Sequence, residues 1–297
     1  MISLGVIGEC MLEFSQHDDI YQLGYGGDVF NTAVYATRLG LDVSFFTATG
    51  DDHYSRYLVG AWNNEGVNTN TVRIIPGGTP GLYIIQTDDT GERSFHYWRD
   101  TTPFKQWLKP GSYLDTLPEK LAQHQCVYFS GISLALLEDA DRTRLLELLA
   151  DYRIQGGLVA FDPNYRPRLW QNHTEATTWI DKAYGISNMA FPSYDDEALL
   201  RGETSHDKLI QNISTLGVLE IVLKNGAGEV MIFSQGDSGK VPTEPVHPVV
   251  DTTAAGDAFN GGYLSTRLKG AEAIASAKQG CRTAAQVIQH RGAIIPA

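Results

Sequence analysis

Short runs of β-branched and aromatic residues, each followed by a longer stretch of helical period, constrain this chain more than any other feature. The runs cover residues 4–8, 43–47, 127–131, 158–162, 189–192 and 220–224. That alternation predicts an α/β fold with a mostly parallel central sheet flanked by helices. Helical segments are expected at 31–39, ending at Gly40, at 141–154 before Gly156-Gly157, and at 256–268 and 271–289 near the end. Segments 20–25 and 81–99 break the rhythm. They alternate like strands, and residues 87–92 supply hairpin turn chemistry. Too few to bury a core alone, they are read as a small β lid over a cleft of the main domain.

Neither an internal repeat nor a low-complexity linker interrupts the 297 residues, so one domain spanning 1–297 is expected. Lys plus Arg number 23 against 35 Asp plus Glu, a formal charge of -12, which repels phosphate backbones and anionic membranes. Neither nucleic acid nor membrane is expected as a partner. There is no apolar run of about 18 residues and no secretory start, so a soluble cytoplasmic protein is expected. Cys10, Cys126 and Cys281 are odd in number and far apart, which excludes a disulfide framework; they read as buried small hydrophobes. The eight His form no HExxH pattern, so zinc hydrolase chemistry has no support.

Ligands of open parallel sheets gather at the C-terminal strand ends. Four segments lie there: 26–31, Asp162-Pro163-Asn164-Tyr165-Arg166, 224–228 and 251–257. In Asp251-Thr252-Thr253-Ala254-Ala255-Gly256-Asp257, small residues lead a loop into a helix, so that several backbone N–H groups can converge on an anion. Asp257 would then lie beside a phosphoryl group, placed to take a proton from an attacking hydroxyl; a capped helix with Asp in its first turn accounts for the same letters. Gly26-Gly27-Asp28 with Asn31 suits close approach of a polyol, or a turn with an N-cap. Tyr97 and Arg99 share one face of a hairpin strand, and Arg166 follows strand 158–162; two guanidiniums could hold a carboxylate, although exposed Arg on a hairpin is common. Lys224-Asn225-Gly226-Ala227-Gly228 could border nucleotide phosphates or make a tight turn. GxxxxGK[ST] and GxGxxG are both absent.

Together these segments resemble the ribokinase-like, or PfkB, carbohydrate kinases. Gly26-Gly27-Asp28-Val29-Phe30-Asn31 with Gly40 is similar to their N-terminal signature, and Asp251 to Phe259 to their C-terminal one. Further stretches, among them Pro80-Gly81-Leu82-Tyr83, Tyr97-Trp98-Arg99 and Asn164-Tyr165-Arg166-Pro167-Arg168, resemble the branch acting on 2-keto-3-deoxygluconate. The resemblance implies a ribokinase-like fold and transfer of the γ-phosphoryl group of ATP, with its Mg2+, to the 6-hydroxyl of that sugar acid. Asp257 would be the base, and Ala254, Ala255 and Gly256 the anion hole. Gly27, Asp28, Asn31, Tyr83, Tyr97, Arg99 and Arg166 would contact the sugar, and Asn164, Lys224, Gly226 and Gly228 would border ATP. The acid group accounts for two arginines that a neutral sugar such as fructose or ribose, the alternative on the same fold, would not need. The resemblance also implies a homo-oligomer and leaves open a monovalent cation such as K+. Relatives carry Asn-x-x-Glu where this chain has Ser193-Tyr194-Asp195-Asp196-Glu197, so no protein metal ligand is assigned.

Overall fold

The structure, a computed structural model, describes residues 2–17, 20–87, 93–202, 205–234 and 237–296. An eight-stranded sheet runs in the spatial order Asp237–Val241, Val230–Ser234, Glu220–Leu223, Met189–Ala190, Leu158–Asp162, Cys126–Ser130, Ser3–Ile7, Asp42–Phe46. Pairing is parallel from Asp42–Phe46 through Glu220–Leu223 and antiparallel in the last two pairs. The parallel strands are legible as largely apolar runs because both faces are covered. Period-two alternation sorts their side chains into two cores. Ile7, Phe46, Phe129, Phe161 and Ile221 face one layer, with Leu145, Leu149 and Trp179 from its helices. Val6, Phe45, Tyr128, Ala160 and Val222 face the other, with Phe30, Trp62 and Tyr263.

Helix boundaries shift slightly from expectation. The first helix is Asp28–Arg38, three residues earlier than 31, with Asp28 in its first turn where a carboxylate meets the helix dipole. Asp139–Ile154, Ala255–Arg267 and Ala273–Val287 match the other three segments. The small sheet has four strands, in the order Ile20–Gly26, Met11–His17, Leu82–Thr87, Arg93–Trp98. The strand Met11–His17 is one that the sequence pattern does not announce. Leu82–Thr87 and Arg93–Trp98 pair antiparallel, with Tyr83 opposite Tyr97; the turn expected between them falls at residues 88–92, outside the described residues.

All three cysteines are buried and free. Trp62 Nε1 donates to Cys10 Sγ over 3.3 Å, and burial pushes each thiol up, as befits packing residues. Among the described residues, no helix is long and apolar enough to cross a membrane.

Candidate active site

The parallel strands end on one edge of the sheet, and Glu9, Ser130, Asp162, Ser193 and Lys224 lie just at or beyond those ends. Here the strand order reverses on either side of Ser3–Ile7, the arrangement that opens a crevice in such sheets. Two helix N-termini meet over it. Gly27 precedes Asp28–Arg38 with an extended backbone, and a Cβ there would collide with the carbonyl oxygen of Glu9, so the close approach requires glycine. Ala254 precedes Ala255–Arg267 in the left-handed conformation, φ 60° and ψ 13°. First-turn amides of a helix have no intrahelical acceptor, and Gly256 and Asp257 occupy that turn; the amide of Ala255, expected in the anion hole, instead donates to the Thr252 carbonyl, because the left-handed Ala254 folds the chain into a turn there. Asp251 fixes the loop from below: its Oδ1 accepts from the amide of Thr253 and its Oδ2 from that of Gly292.

The two termini are joined by side chains. Asn31 Nδ2 donates to Asp257 Oδ2 over 2.8 Å, and Thr32 Oγ1 donates to the backbone oxygen of Asp257 over 3.1 Å. Burial, then the charges of Asp28 and Asp162, push the Asp257 carboxyl up to about 7, while the Asn31 hydrogen bond and Lys224 pull the other way. Asp28 is also raised, first by burial, despite hydrogen bonds that include Asn164 Nδ2 at 2.9 Å. Asn164 has a positive φ of 34°, and its amide donates to Asp162 Oδ1. Expected beside a nucleotide, Asn164 thus stands between Asp162 and a residue expected on the sugar.

Lys224 Nζ donates to Asp162 Oδ2 at 2.7 Å and Asn260 Oδ1 at 3.3 Å, and a Cβ on Gly256 would lie 3.6 Å from that nitrogen. Asn260 completes the network by donating to Asp162 Oδ2 and to the Tyr128 hydroxyl. Sequence reasoning misses Asp162 as a side chain and Asn260 altogether; both are buried, and only the fold brings them to Lys224. Residues 225–228 make the tight turn of the antiparallel hairpin, with Gly226 at φ 52° and Gly228 donating to the Asn225 carbonyl.

The arginines are not bare cations. Arg99 pairs with Glu9, both nearly buried, and its guanidinium lies 5.9 Å from the Tyr97 ring centroid. Arg166 pairs with Asp196 over 2.9 Å on the surface. Arg168, not singled out from the sequence, forms no ion pair among the described residues. Together with Arg99 and Arg166 it opposes the upward push of burial on the Tyr97 hydroxyl, so all three cations act on that one group. Tyr83 lies 5.7 Å from Tyr97, ring to ring.

Ser193 caps helix Tyr194–Arg201 by accepting from the amide of Asp196, three residues on. The neighbouring Glu197 is occupied by Tyr184 and Arg201. No group of three or more His, Cys, Asp or Glu among the described residues could hold a metal by itself. A magnesium ion carried on a nucleotide's phosphates needs at most one or two protein carboxylates. A separate cavity of about 580 Å³, between helix His206–Thr215 and the terminal hairpin, is lined by none of the expected site residues.

A 2-dehydro-3-deoxygluconokinase of Dickeya dadantii is 45% identical over 99% of this chain and 97% of its own. One of Escherichia coli strain K12 is 42% identical over 99% and 97%. The crystal structure of a fructokinase with bound ATP from Xylella fastidiosa superposes with a TM-score of 0.86 at 22% identity, covering 98% of this chain and 93% of that one. The description "pfkB family carbohydrate kinase" matches residues 1–297, and so this chain, with its ribokinase-like α/β fold, belongs to the pfkB family of carbohydrate kinases.

Proposed function

We propose that this kinase transfers the γ-phosphoryl group of ATP to the 6-hydroxyl of 2-keto-3-deoxygluconate, the sugar acid also called 2-dehydro-3-deoxygluconate. The observation that carries the reading is Asp257, a carboxyl raised to about 7 at a helix N-terminus and held by Asn31. A base poised near the working pH suits removal of a hydroxyl proton. The amides of Gly256 and Asp257 receive charge developing on the phosphoryl oxygens, Lys224 and the 225–228 turn border the nucleotide, and Mg2+ arriving with ATP would neutralise its phosphates. Asp257 takes the hydroxyl proton as the oxygen attacks, and ADP leaves. A base is worth roughly 10² to 10⁴ in rate, and a preorganised donor roughly 10² to 10³. The names of the two curated relatives favour the sugar acid, as do three arginines acting on Tyr97.

The same arginines keep a second reading alive. With Arg99 offset by Glu9 and Arg166 by Asp196, Arg168 is the one of these three arginines that adds net positive charge among the described residues, and a neutral sugar such as fructose or ribose would tolerate that balance. A coupled ADP-release assay with ATP and Mg2+ against 2-keto-3-deoxygluconate, fructose and ribose separates the two. Turnover with the acid at least tenfold above both neutral sugars is expected; preference for a neutral sugar overturns the assignment.

A further inference from the structure

We infer that Glu13 is a positioning residue for the sugar: it holds the hydroxyl proton of Tyr83, so that Tyr83 meets the substrate as a hydrogen-bond acceptor. The inference rests on the reading of this crevice as a sugar site.

Glu13 stands on strand Met11–His17 directly between Gly24 and Tyr83 in the lid register, and only 7% of it is exposed. Both its oxygens are engaged. Ser15 Oγ donates to Oε1 over 2.7 Å, and the Tyr83 hydroxyl donates to Oε2. A carboxylate only accepts, so the Tyr83 proton lies toward Glu13 and its lone pairs are left for another donor. A Cβ on Gly26 would sit on the Tyr83 hydroxyl oxygen, which places that oxygen against the Gly26-Gly27 approach to the crevice. Burial and Glu13 both raise the Tyr83 hydroxyl well above its ordinary value, so it does not ionise to escape this bond. A sugar hydroxyl supplies the donor an acceptor there requires, whereas an anionic carboxylate would face lone pairs with a second carboxylate behind them.

The test is a double-mutant cycle on KM for whichever sugar the wild-type protein phosphorylates, so that a failed substrate assignment stays separate from a failure here. Glu13→Gln is expected to raise sugar KM about three- to tenfold, with kcat and the KM for ATP within twofold; a group acting uniformly on binding gives this split. Tyr83→Phe should do the same, and the double variant should be no worse than Tyr83→Phe alone, because Glu13 acts through that hydroxyl. Additive effects, or a Glu13→Gln variant with unchanged sugar KM, would overturn the inference. Should Glu13→Gln not fold, Ser15→Ala loosens the same carboxylate from its other side. It should raise sugar KM when Tyr83 is present and leave it unmoved when combined with Tyr83→Phe. An unchanged sugar KM in Tyr83→Phe alone is sufficient refutation.

Discussion

Asn31 reaches Asp257 across 226 positions of sequence and 2.8 Å of space, joining the helix after the paired glycines to the helix after the Ala254-Ala255 loop. If Asp257 is the base, Asp257→Asn keeps the shape and removes the proton acceptor. Turnover is expected to fall by roughly 10² to 10⁴, with sugar KM within a few-fold. Steady-state kinetics with the preferred sugar checks this, and near-normal kcat assigns the proton to another group.

The raised carboxyl of Asp257 predicts two pH effects of opposite sense. With Asp257 as base, only its free carboxylate would be competent, so kcat/KM should climb as pH rises through about 7. Asn31→Ala removes a hydrogen bond that favours the charged form, and its limb should move to higher pH. Stability runs the other way. Between an unfolded value of 3.8 and a folded value of about 7, the native state holds more proton than the unfolded chain, so this group lowers stability as pH rises across that window. At pH 8 Asp257→Asn should therefore unfold later than wild type, by about 1 kcal/mol or a few degrees in Tm. Equal Tm values at pH 8 would show the carboxyl to be unstrained.

These relationships show what the sequence can and cannot disclose. Strand runs such as Leu158–Asp162 are readable because burial on both faces demands apolar residues throughout. The glycine and alanine loops are readable because close backbone approach excludes larger side chains, as at Gly27. Met11–His17 escapes notice because a buried Glu13 interrupts it, and nothing local announces that Tyr83 will satisfy that charge. Likewise Glu9, Asp196 and Asn260 are ordinary letters until the fold sets them against Arg99, Arg166 and Lys224. Pairings between distant residues belong to the topology, and periodicity carries no record of them.

The two lid-side arginines should separate when each is cut back. Arg166 is half exposed and its pair with Asp196 contributes little to stability, so Arg166→Ala should raise sugar-acid KM with Tm nearly unchanged. Arg99→Ala leaves Glu9 buried and unpaired, a loss of about 3–5 kcal/mol. Combining Arg99→Met with Glu9→Gln should recover most of that stability without restoring KM. Thermal unfolding beside sugar saturation curves decides it, and unchanged KM in both Arg166→Ala and the double variant would place the acid group elsewhere.

Ala254 holds a left-handed backbone that costs a non-glycine residue about 1–2 kcal/mol. Ala254→Gly relieves that strain but widens the unfolded ensemble, so the two effects offset and stability should stay within about 1 kcal/mol of wild type. A β-branched side chain fits this conformation far less well. Ala254→Val should therefore lose more than about 1–2 kcal/mol and, by displacing the amides of Gly256 and Asp257, lower kcat by roughly 10². Unfolding curves and single-turnover rates on the pair test whether the bend at Ala254 builds the anion hole. Wild-type turnover in the Ala254→Val variant would mean that phosphate charge is received elsewhere along the crevice.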